Sequence, residues 1–142
     1  MIDVVILIII LIIVVHALYK ISKISSLPFI VDSKIALYTK RILLSERDEL
    51  YLKRGLCYFK RGISFLSRDK VIEANIYFAK AISDFDSSIE LNKLNDEAYF
   101  QKGLLMILLN NSLEAYEALI EAESLGHRKA TQTIVENGMR WK

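Results

Sequence analysis

Between Ala81 and Gly103 the chain reads AISDFDSSIELNKLNDEAYFQKG, which is the end of one helix, a polar turn and the start of another. Ala81, Phe85 and Ser88 stand at i, i+4 and i+7, so one helix face runs small, large, small. The turn 92–96 supplies Asn92, Asn95 and Asp96, residue types that tolerate helix ends and cap the next helix. Tyr99 and Gly103 then share a face, and a glycine there lets two helix backbones approach closely. A chain punctuated this way folds as successive antiparallel helices. One proline and five glycines in 142 residues are little punctuation, which suits a mostly helical chain.

The same spacing recurs on both sides of this junction. Upstream, Tyr51, Gly55 and Tyr58 lead to Ala81, Phe85 and Ser88; downstream, Tyr99, Gly103 and Met106 lead to Ala115, Leu119 and Ala122. This pattern resembles the tetratricopeptide repeat, whose helix hairpin carries an aromatic, Leu-Gly and Tyr, then Ala, Phe and a final Pro. The resemblance spans Asp48 to His127. Arg54 stands where the family has Leu, and Lys93 and His127 stand where it has Pro. Gly103 to Ala115 is the family's 12 residues, whereas Gly55 to Ala81 is 26. The surplus of 14 is two heptads, and Gly62 and Ala74 repeat Gly55 and Ala81 at a distance of seven. Each helix of the first hairpin is therefore expected to be about two turns longer than usual, with its inward face kept in register.

The expected fold is all-α. Residues 1–21 form a transmembrane anchor, 22–31 a linker and 32–142 a helical domain. Within that domain the repeats cover about 48–95 and 96–127, and residues 128–142 cap the stack. A helix carrying Ile35, Tyr38 and Ile42 on one face should precede the first repeat. Asn110 and Asn111 make the second turn, Gly126 takes a left-handed cap, and Ala130, Ile134 and Trp141 belong to the capping helix.

Residues 4–15 are an unbroken run of Val, Ile and Leu, and residues 2–19 make eighteen residues with one acidic group, Asp3. As a helix that run is about 27 Å long, enough for a bilayer core, and it is far too long for a strand. A cleaved signal peptide needs a basic segment before the apolar run and small residues at its end; neither is present in Asp3 or Val15-His16-Ala17. Lys20, Lys23, Lys34, Lys40 and Arg41 all follow the span. The expectation is a single-pass inner-membrane protein, most simply bacterial, with its N-terminus outside and the repeat domain cytoplasmic. The alternative is a domain on the periplasmic or extracellular side.

Charge is divided along the chain. Residues 20–70 carry twelve Lys and Arg against five Asp and Glu, and residues 71–127 carry three against ten. Tyr and Phe fall at core spacing rather than interleaving with the basic residues, so no nucleic-acid partner is expected. No phosphate-binding loop, metal-ligand spacing or nucleophile set occurs, and a lone cysteine with two histidines makes no zinc site. Neither an enzyme nor a cofactor is expected; a small enzyme is the remote alternative.

The resemblance implies a protein-binding groove lined by the first helix of each repeat. Carried over by position, it presents Leu52, Leu56 and Phe59 from one helix and Phe100, Leu104, Ile107 and Leu108 from the other. These residues are apolar, so the implied occupant is a peptide or amphipathic helix rather than a clamped carboxylate. The implied role is a membrane-anchored adaptor or scaffold, with a permanent accessory subunit of a membrane complex as the alternative. The partners are other proteins through the groove and the bilayer through residues 2–19. A homo-oligomer, or residues 32–45 folded back into the groove, would also cover that face.

Overall fold

The computed structural model describes residues 2–138, with side chains described for 12–16 and from 28 onward. Among the described residues the chain is all-α. Six helices follow one another: α1 (Ile2–Leu44), α2 (Asp48–Leu66), α3 (Val71–Leu91), α4 (Asp96–Leu108), α5 (Ser112–Ser124) and α6 (Ala130–Glu136). The expected linker 22–31 lies inside α1, which runs through Pro28. A proline removes one backbone donor and crowds the preceding turn, and here α1 accommodates it. Among the described residues no helix is long and apolar enough to cross a membrane. Most of the expected span 2–19 falls on positions whose side chains lie outside those described, and its described apolar residues, 12–15, are exposed.

Glycine against a large side chain sets the first hairpin. A Cβ on Gly55 would stand 2.8 Å from Cε1 of Phe85, and one on Gly62 would lie closer still to Cε1 of Phe78. Both glycines are buried, and both phenylalanines are essentially removed from solvent. Gly55 faces Phe85 while Gly62 faces Phe78, so α2 and α3 are antiparallel, and the two layers are one heptad apart. Ala74 and Ala81 fill the same seam with fully buried methyl groups. The second hairpin repeats the device once, with a Cβ on Gly103 placed 2.7 Å from Cγ of Leu119 and Ala115 beside it.

The expected difference in length is present. Helices α2 and α3 have 19 and 21 residues, against 13 each for α4 and α5, so the pair gains the two heptads counted in the sequence. Three hairpin ends share one closing geometry. Asp69 (φ +58°), Asn110 (φ +58°) and Gly126 (φ +93°) take the left-handed conformation just past α2, α4 and α5. At each, the following residue donates back across the turn: Lys70 to Phe65, Asn111 to Met106 and His127 to Ala122. These are Schellman closures, which satisfy carbonyls that the helix end leaves open.

The hairpins join through a polar knot. Ser88, fully buried, donates to the backbone carbonyl of Asp48 at 2.9 Å. Asn92 and Asn95 donate to the Asp48 carboxylate at 2.9 and 3.1 Å, and the Asn95 carbonyl caps α4 by accepting from Ala98. The expected cap is thus made by Asn95. One core cluster lies in the first hairpin around Phe78 and Phe85, and Leu105 of α4 joins it. The other holds Leu119, Ala122 and Ala130 with Ile134, and Ile82 packs against both. The capping helix is shorter than expected: α6 ends at Glu136, and Trp141 lies outside the described residues.

Gly62→Leu and Gly103→Leu should each lower stability by about 1–3 kcal/mol or more, because the backbone must separate from Phe78 or Leu119 to admit the side chain. Urea denaturation checks this; unchanged midpoints would mean that these seams are not close contacts. A second expectation concerns pH. The Asn92 hydrogen bond, with help from Asn95 and backbone amides, holds the Asp48 carboxyl below its ordinary value of 3.8. A carboxyl lowered in the folded state stabilises above its unfolded pKa and loses that contribution as pH falls through the folded value. The stability difference between the native chain and Asp48→Asn should therefore be constant at neutral pH and shrink below about pH 4. Thermal melts across that range read it directly.

Candidate partner-binding groove

Helix α1 packs on α2 through two charged contacts spaced by a heptad on each helix. Arg54 donates from its Nη1 to Thr39 at 3.2 Å, and Arg61 pairs with Asp32 at 3.1 Å. Position 39 therefore stands opposite 54 and 32 opposite 61, which makes α1 antiparallel to α2. Val31 and Ile42 are buried at this contact, and Ile35 and Tyr38 are half-buried, so the expected inward face is largely recovered.

Arg54, the departure from the repeat pattern, is the centre of a three-helix junction. Its Nε and Nη2 form a two-pronged pair with Asp84 of α3 at 2.8 and 2.7 Å. Asp84 is 4% exposed, and an isolated carboxylate at that depth would be costly. The guanidinium also lies over the rings of Tyr51 and Tyr58, at 5.6 and 5.8 Å from their centroids. The hydrogen bonds to Asp84 raise the Arg54 pKa above its usual value despite partial burial. A leucine would pack α2 on α3; arginine does that and also reaches α1. Nearby, burial raises the Cys57 thiol and the Tyr58 phenol, so Cys57 is a protonated core thiol at neutral pH.

A cavity of about 740 Å³ opens where α1, α2 and α4 meet. Its apolar wall consists of Pro28 and Val31 from α1 with Leu56, Phe59 and Ile63 from α2. The polar rim is Lys60, Arg61, Ser64, Ser67 and Arg68, and Gln101 of α4 closes one edge. Among the described residues no acidic side chain lines it. Arg61 is fixed toward α1 by Asp32 and lies 4.9 Å from the ring centroid of Phe65, while its buried Nε has no hydrogen-bond partner among the described residues.

The seven residues expected in the groove divide. Leu56 and Phe59 line the cavity. Leu52, half-buried, packs with both of them against the core of the first hairpin. Phe100 belongs to the core: it is 6% exposed and stacks on His127 with centroids 4.0 Å apart. His127 returns over it from beyond α5, with its Nε2 3.1 Å from Glu97. Leu104 and Ile107 are half-buried against the second core, and Leu108 is exposed at the end of α4. Residues 32–45 do not line the cavity; Pro28 and Val31, which precede that stretch, form one of its walls. The basic rim was not singled out from the sequence. Lys60, Arg61, Ser64, Ser67 and Arg68 recur at i, i+1, i+4, i+7 and i+8, a helical face that a search for apolar stripes passes over.

Comparison of the chain with protein-family models, with curated proteins and with solved structures finds no match.

Arg54→Ala should destabilise the fold by about 3–5 kcal/mol by leaving Asp84 buried and unpaired. The double change Arg54→Leu with Asp84→Ala should recover a large part of that loss. Chemical denaturation of Arg54→Leu, Asp84→Ala and the double variant gives the coupling. Additive effects would mean that the pair does not hold the junction.

Proposed function

We propose that this protein is a membrane-anchored adaptor whose helix-hairpin domain, similar in plan to tetratricopeptide repeats, holds a segment of another protein. The observation that carries the reading is the cavity between α1, α2 and α4, with apolar Leu56, Phe59 and Ile63 on one wall and basic Lys60, Arg61 and Arg68 along the rim. Its occupant on this reading is an amphipathic segment that sets apolar anchors beside acidic residues, since apolar burial supplies affinity and charge complementarity supplies orientation. An anchor in residues 2–19 is supported by eighteen residues with a single charge and by the exposure of residues 12–15. The five basic residues between Lys20 and Arg41 favour a cytoplasmic domain.

A photo-crosslinking residue at position 63, on the full chain in its native membrane, tests the groove. Ile63 is 42% exposed and so tolerates replacement; Leu113, 70% exposed and remote from the cavity, provides the control position. The expected result is a discrete adduct from 63 and none from 113, lost when Lys60 and Arg68 are changed to Glu. Equal adducts from both positions, or none from 63, would remove the adaptor reading. A companion recovered in constant stoichiometry with every purified copy would instead identify a permanent subunit.

A further inference from the structure

The first hairpin ends in an exposed tip of mixed character. Val71 and Ile72 are 52% and 77% exposed, and Ile76 lies one turn further along the same face. Exposed Arg68 and Lys70 flank them, with Asp69 and Glu73 the acidic neighbours; Glu73 is 3.8 Å from Lys70. Isolated apolar residues on a surface are ordinary, but adjacent ones beside cations at a helix turn are suited to a lipid interface.

The register of α1 against α2 says where this tip stands. Thr39 lies opposite Arg54 and Asp32 opposite Arg61. One more heptad in the same antiparallel register brings Arg68 level with position 25; α3 turns back along α2, with Phe78 opposite Gly62, so its start is level with positions 24–25. The apolar run ends at Tyr19, so the tip lies roughly 8 Å along α1 from it. Lys20 and Lys23 stand between the two in the sequence.

The second hairpin does not reach as far. Lys102 of α4 pairs with Asp86 of α3 at 2.6 Å, fifteen residues from the start of α3 but only six from the end of α4. Its turn therefore stands behind the first by about nine residues of helix, on the order of 13 Å. The extra heptads of α2 and α3 make up most of this overhang.

We propose that the α2–α3 turn is a second membrane contact, in which Val71 and Ile72 enter the interface of the bilayer that α1 spans while Arg68 and Lys70 meet anionic headgroups. The proposal rests on the reading of residues 2–19 as an anchor. The contact fixes the domain's tilt against the bilayer and turns the basic rim of the cavity, which includes Arg68, toward the membrane surface. A partner segment would then be one lying close to the bilayer.

The test uses the full chain in vesicles of phosphatidylcholine with and without phosphatidylglycerol. An environment-sensitive fluorophore is placed, one position at a time, at Ile72→Cys, Leu94→Cys and Ile12→Cys in a Cys57→Ala background. Leu94 is exposed at the far end of α3, and Ile12 reports the anchor itself. The expected result is quenching of the label at 72 by lipids carrying a nitroxide near the headgroup, stronger with phosphatidylglycerol, and none at 94. Arg68→Ser with Lys70→Ser should weaken that docking equilibrium by on the order of tenfold. If the label at 12 is quenched by deep nitroxides and the label at 72 stays in water, the tip contact is overturned and the anchor stands. If the label at 12 is itself in water, the anchor reading fails and the tip contact fails with it.

Discussion

The approach of α2 to α3 through bare glycine positions is the constraint on which the other helices depend. Each Gly–Phe layer places an aromatic ring where a Cβ would otherwise be, so the hairpin closes only when glycines and rings coincide. Because both layers are spaced by seven residues, they reinforce one register, and slipping by one turn would set rings against side chains. That rigid pair joins Asp84 to Arg54 and Ser88 to Asp48, and the same groups tie the hairpin to its neighbours, Arg54 through Thr39 of α1 and Asp48 and Ser88 through Asn95 at the start of α4. Stability and alignment are divided between them. Ring burial supplies most of the stabilisation, at about 1.5–3 kcal/mol for a large apolar side chain, while the polar contacts choose which helix goes where.

The arginines give α2 a second allegiance. Arg54 and Arg61 lie one heptad apart and reach α1 at Thr39 and Asp32, also one heptad apart. Arginine suits the position because its aliphatic stem lies along apolar surface while its planar head serves two partners. The result is a three-helix sheet of α1, α2 and α3 with α4 set beyond it. The cavity is the space that this arrangement leaves along the part of α2 extending past α4. The elongated hairpin and the candidate groove thus have the same origin.

Much of this was legible in the sequence, for an identifiable reason. Gly55, Gly62, Ala74, Ala81 and Gly103 are small residues at helical spacing, a pattern that few other folds need, and they gave the hairpins and the surplus length. Asn95, Asn110 and Gly126 marked turns through their backbone chemistry. What escaped depended on contacts between distant residues. Arg54 reads as a blemish in a motif until Asp84, thirty residues on, is placed beside it. Phe100 is one of the residues expected in the groove, and the return of His127 across it makes it core instead. Ser25, Ser26 and Pro28 resemble a linker by composition, yet helix propensity is a weak local preference and α1 continues through them.

The extra heptads have a consequence for how such a domain can vary. Adding one residue to α2 rotates every later side chain by about 100°, which would carry the glycines out of the seam. Only a seven-residue change made in both helices keeps ring opposite glycine. The reach of the first hairpin is therefore quantised, with a step of about 10 Å. Related chains could lengthen or shorten it by whole steps, as a ratchet moves by teeth, while the junction with α4 and α5 stays the same. Reach and recognition would then be inherited separately within a single hairpin.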